Sequence, residues 1–109
     1  MKGDLEGTWE LQSGQPIPPG MRDLKILSGG HFMFATYDTK SGQPLYAAGG
    51  TYEVSGDCYV EHMEFATEKL SELVGKAQSF TVQIDGDTLI QTGTLSNGDP
   101  LKERFRRIG

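Results

Sequence analysis

Short runs of alternating apolar and polar residues, each cut off by a glycine-bearing turn, constrain this chain more than any other feature. The clearest run puts Phe80, Val82 and Ile84 on one face and Ser79, Thr81 and Gln83 on the other, and it stops at Asp85-Gly86-Asp87. A period of two marks a strand with one buried face, and an Asp-Gly turn after it sends the chain back antiparallel. Glycine is far above average use, at 15 of 109 residues, and its placement at turns suits many short strands joined tightly. No strand–helix alternation occurs, so a parallel sheet is excluded.

Taken in order, the pattern predicts a first strand from Leu5 to Ser13, followed by the stiff, proline-rich loop Gly14-Gln15-Pro16-Ile17-Pro18-Pro19-Gly20. That loop is either a plain connector or a lid over one end. Strands from Arg22 to Ser28 and from His31 to Asp38 meet at Ser28-Gly29-Gly30. A three-residue loop pairs Ile26 with Phe32 and Leu24 with Phe34, whereas a two-residue Gly-Gly turn pairs Lys25 with Phe34. The first register groups the apolar residues better. It makes Leu24, Ile26, Phe32, Phe34 and Thr36 inward, and Lys25, Leu27, His31 and Met33 outward. The fourth strand, Leu45 to Val54, contains Gly49-Gly50, a pair that marks a bend or bulge. The fifth, Cys58 to Phe65, is expected to bring Tyr59, Glu61, Met63 and Phe65 inside with Tyr52 and Val54. Ala66 to Gly75 breaks the alternation: Leu70, Leu73 and Val74 recur at helical spacing, so one short helix is expected between the fifth and sixth strands. Lys76 to Ile84, the strand carrying Leu89, Gln91 and Gly93, and Leu101 to Ile108 complete the set. The last of these is expected to face Leu101, Glu103, Phe105 and Arg107 inward.

Eight antiparallel strands joined as hairpins close most simply into an up-and-down β-barrel, which removes both sheet edges. The expected fold is therefore all-β, as a single domain over residues 1–109. Trp9, the one tryptophan, opens the first strand in Gly7-Thr8-Trp9-Glu10-Leu11; it is large enough to form the barrel floor, and its indole N–H then needs a partner.

Composition narrows the function. The net charge is −5 and there is no long basic run, which argues against nucleic acid and anionic membranes as partners. No apolar run approaches membrane-spanning length, and no signal peptide is visible; a signal removed ahead of residue 1 would mean a secreted or periplasmic protein. The compartment itself stays open. Cys58 is the single cysteine, so no internal disulfide can form, and it is expected outward.

Gly7-Thr8-Trp9 on the first strand with an arginine near the end of the last resembles the signature shared by lipocalins and fatty-acid-binding proteins, members of the calycin superfamily. The resemblance implies that an arginine stacks over the tryptophan where the barrel closes. Arg107 is the expected partner of Trp9, with Arg106 as the fallback, and a guanidinium over an indole is a favourable cation–π pair. Gly29-Gly30-His31-Phe32-Met33-Phe34 through Tyr37-Asp38, then Gly49-Gly50-Thr51-Tyr52, is similar to a group of small bacterial lipocalin-like domains of unknown function. The chain lacks the disulfides and the long C-terminal helix of true lipocalins, and the helical pair of fatty-acid-binding proteins.

The expected inner face mixes polar and apolar groups. Tyr52, Tyr59, Glu61, Gln91 and Glu103 are the expected anchors of a cavity, with Phe34, Met63 and Phe80 as its wall. Polar anchors on an apolar wall are the usual form of a small-molecule site, and buried carboxylates are costly unless paired. The expected function is non-catalytic binding of a small hydrophobic or amphipathic molecule, with no cofactor. A filled barrel that acts through its outer surface is the alternative: Leu27, Met33 and Tyr37 would form an apolar outer patch suited to a homodimer. A small acid–base enzyme using Glu61 and Tyr59 is a lesser one, since no nucleophile–base–orienter set is recognisable. His62 and Glu64 share a face, but with only a conjectural third ligand in His31 no metal site is expected.

Overall fold

The structure is a computed structural model that describes residues 2–14, 17–95 and 98–109. Its strands are β1 (Gly7–Ser13), β2 (Met21–Ser28), β3 (His31–Asp38), β4 (Pro44–Ser55), β5 (Cys58–Ala66), β6 (Ala77–Asp85), β7 (Thr88–Thr94) and β8 (Pro100–Arg107). They form one closed antiparallel barrel in sequence order, in which β1 pairs with both β2 and β8. A single-turn helix, α1 (Lys2–Leu5), precedes β1, and a 3-10 helix, η1 (Glu68–Leu73), lies between β5 and β6 where the alternation breaks.

The end of the barrel at which β1 begins and β8 finishes is plugged. Trp9 is fully buried there, and its Nε1 donates to the Leu5 carbonyl at 2.9 Å, which satisfies the indole N–H. Trp9 and Arg107 are directly opposed in the β1–β8 register, and the guanidinium lies 4.3 Å from the indole centroid. Arg107 also donates to the carbonyls of Glu6 and Asp4, both at 2.6 Å, so one side chain closes the sheet and ties α1 to it. At the opposite end lie η1, the Asp38–Pro44 turn and the β7–β8 connection. Ile17 of the proline-rich loop packs against the core, while Gln15, Pro16, Ser96 and Asn97 fall outside the described residues.

The β2–β3 hairpin corrects the expected facing. Ser28 pairs with His31, Leu27 with Phe32, Ile26 with Met33 and Lys25 with Phe34. Gly29 and Gly30 have φ of 59° and 82°, the paired left-handed geometry of a two-residue type I′ turn, whose twist matches the strands it joins. That turn moves β2 by one residue relative to β3. Leu27 and Lys25, expected outward, are 1% and 4% exposed, whereas Ile26, expected inward, is 49% exposed and Leu24 shares its outer face. Phe32, Phe34 and Thr36 do face in.

A second correction follows from the Gly49-Gly50 segment. The β4–β5 register slips between these glycines, so Gly50 opposes Met63 while Gly49 opposes Phe65. Met63 points in, and Phe65, expected inside, is 47% exposed. Its ring lies over Gly49, where a Cβ would come within 2.6 Å of two ring carbons. The bulge is the bend that the glycine pair marks, and it re-aims the residue beyond it.

The outer patch is correspondingly different. Leu27 is in the core, and Tyr37 is half-buried on the strand position opposite Arg22. Met33, which is exposed, instead joins Ile26 and Phe65 in a row across β2, β3 and β5, with Gly49 between the last two.

Candidate functional site

Because β2 alternates, the register that turns Leu27 inward also brings in Lys25 and Asp23. An ammonium in a barrel interior loses its hydration and must find partners there. The Lys25 Nζ has two: Glu61 Oε2 at 2.5 Å and Gln91 Oε1 at 3.0 Å. These come from β5 and β7, on the far wall of the barrel. The same Glu61 oxygen accepts from the Tyr59 hydroxyl at 2.7 Å. Three rings surround the ammonium, with centroids at 5.0 Å for Tyr59, 5.6 Å for Phe105 and 5.9 Å for Phe32. Their negative faces partly replace the lost water. Burial, and then the neighbouring Glu61 charge, holds the Tyr59 hydroxyl well above its ordinary value, so it stays a donor.

Two further carboxyl groups face the same interior. Asp23 is buried and accepts from Thr36 Oγ1 at 2.5 Å; burial raises its proton affinity, and the Thr36 bond and Lys25 oppose the rise. Glu103 sits opposite Gln91 across the β7–β8 ladder. Burial lifts its carboxyl to about 7, with Asp23 and Glu61 adding to the rise and Lys25 opposing it.

These groups line a cavity of about 160 Å³ on the η1 side of the barrel. Asp23, Lys25, Glu61, Gln78, Gln91 and Glu103 supply its polar surface; Phe34, Tyr46, Met63, Leu70, Phe80, Leu95, Leu101 and Phe105 supply the apolar wall. Glu61, Gln91, Glu103, Phe34, Met63 and Phe80, all expected from the sequence, lie on it. Tyr52 and Tyr59 do not. Tyr59 stands behind Glu61 as its donor, and Tyr52 packs on Tyr59 with ring centroids 5.5 Å apart. The expected hairpin register puts Lys25 outside; Gly29-Gly30 as a two-residue type I′ turn brings Lys25 in, together with Asp23 two residues before it.

The remaining candidates lie elsewhere. Cys58 and His31 are exposed, and His62 is 3.0 Å from Glu53 on the outer face. Among the described residues no three His, Cys, Asp or Glu side chains come together as metal ligands. No described helix is long and apolar enough to cross a membrane.

No protein family matches the sequence, and no curated protein does either. The backbone is similar to that of a solved structure described as REP1-NXSQ fatty acid transporter, with a TM-score of 0.52 and 10% identity over 98% of each chain. At that identity the likeness is one of fold, a closed eight-stranded antiparallel barrel.

Proposed function

We propose that this barrel binds a small, partly apolar molecule in its interior cavity and does not transform it. The observation that carries the reading is the cavity itself, an apolar-walled space of about 160 Å³ over a hydrogen-bonded polar floor. It is smaller than the roughly 300–1,000 Å³ of drug-sized sites. An enclosed space of about 150 Å³ accepts a benzene ring, which sets the size of the ligand body. The fold likeness to a protein described as a fatty acid transporter is compatible with such a role. Acid–base catalysis by Glu61 and Tyr59 is less well supported. One Glu61 oxygen already takes bonds from Lys25 and Tyr59, and Tyr59 does not line the cavity.

The methionines provide the test. Met63 lines the cavity, whereas Met33 is exposed on the outer face. In methyl NMR of the full chain, a panel of neutral and charged single-ring molecules should include members that shift Met63 saturably and leave Met33 unmoved. Leu70→Trp, which fills the cavity from η1, should abolish the shift. If no member of the panel moves Met63, the reading is wrong.

The row of Ile26, Met33 and Phe65 favours a second reading, a dimer formed through β2, β3 and β5. Sedimentation would then show a dimer that Met33→Glu dissociates.

A further inference from the structure

The charges inside the cavity do not balance. Among the described residues its lining contains three carboxyl groups, on Asp23, Glu61 and Glu103, and one cationic side chain, Lys25. Lys25 is already engaged by Glu61 and Gln91 and enclosed by three rings. It has little left to offer an incoming anion. A carboxylate ligand would bring a fourth acid into a space where three already compete for one ammonium, and like charges at short range in a poorly hydrated site repel strongly. Glu103 and Asp23, by contrast, have acceptor capacity that Lys25 does not use. Among the described residues the Thr36 hydroxyl is the one hydrogen-bond donor on Asp23, through Oδ2.

We propose that the ligand is an organic cation, a small primary or secondary amine on an apolar body, with its ammonium between the carboxyl groups of Glu103 and Asp23. This rests on the cavity being a ligand site, as proposed above. An ammonium carries two or three donors and no acceptor, which is the complement of two carboxylates. Phe34, Met63, Phe80 and Leu101 would take the body. A bare metal ion fits less well, since no described cluster of three metal-ligating side chains exists there. Protons are the competing counter-charge, and the position of Glu103 at about 7 lets it exchange a proton for an ammonium near neutrality.

Three probes of matched shape and different charge decide the point: phenethylamine, phenethyl alcohol and hydrocinnamate, each titrated into the full chain at pH 8 and followed by calorimetry and the Met63 methyl. The amine should bind about tenfold more tightly than the alcohol, a difference of about 1.4 kcal/mol, and the acid should be weakest. Glu103→Gln should cost the amine most of that advantage over the alcohol. Amine affinity should fall several-fold from pH 8 to pH 6, because Glu103 takes up its proton while the amine keeps its own. If the alcohol or the acid binds as well as the amine and moves Met63, the cavity is a ligand site and the cation assignment is wrong. If none of the three moves Met63, and the wider panel fails as well, the cavity reading falls and this one with it. The wild-type comparison stands by itself should Glu103→Gln not fold.

Discussion

Replacing Lys25 with methionine tests the interior most directly. At 2.5 Å and an effective dielectric of about 20, the attraction between Lys25 and Glu61 is about 6–7 kcal/mol before desolvation is subtracted. Removing one partner does not release that desolvation cost. It leaves the Glu61 carboxylate buried with Asp23 and Glu103 nearby, and takes a donor from Gln91. Deleting one side of a buried pair usually costs about 3–5 kcal/mol. At about 4 °C per kcal/mol for a domain of this size, Lys25→Met should lower Tm by roughly 12–20 °C at pH 7. Lys25→Met combined with Glu61→Gln should recover most of the loss, since a glutamine oxygen still accepts from Tyr59 and position 61 no longer carries a charge stripped of its partner. Urea unfolding of wild type, both single variants and the double variant gives the coupling energy directly. A Lys25→Met cost below about 1 kcal/mol, or a double variant no more stable than Lys25→Met alone, would refute this account of the interior.

Three other outcomes follow from the same geometry. Burial raises the native carboxyl of Glu103 to about 7, so its stabilising contribution is complete below the ordinary carboxylate range and is lost as pH rises through 7; between pH 5 and pH 8, the unfolding free energy from urea titrations should move in favour of Glu103→Gln over wild type by about 1–3 kcal/mol. Arg107→Lys keeps the charge but not the fork that reaches the Glu6 and Asp4 carbonyls over Trp9, and should cost about 1–2 kcal/mol in unfolding with a changed near-UV signal from Trp9. Gly50→Ala would place a Cβ 1.9 Å from the His62 carbonyl oxygen at the bulge, so it should cost at least about 1–3 kcal/mol in thermal melts.

Much of the barrel is legible in the residue pattern, because period-two alternation is a local property of each strand. Phe80 and Val82, Tyr59 and Glu61, and Leu89 and Gln91 each declare a shared face without reference to anything distant. Gly29-Gly30 and Asp85-Gly86 then declare where the chain reverses, while Gly49-Gly50 declares a bend within a strand. Hence the strand count, the antiparallel order and the short helix before β6 can be read from sequence. The candidate site is legible only in part, and its missing half shows why.

In Asp23-Leu24-Lys25-Ile26-Leu27 both faces carry hydrophobic residues, so hydrophobicity alone cannot say which face is inside. Grouping the apolar residues favours burying Leu24 and Ile26 and leaving the lysine in water. The tertiary structure does the opposite, because Lys25 meets Glu61 and Gln91, 36 and 66 residues further along, only once the barrel has closed. What the chain by itself determined was the set of strands and the alternation within each, which local backbone geometry enforces. What closure alone decided was which charges are buried, since a buried charge is tolerated only by partners that the fold brings from elsewhere.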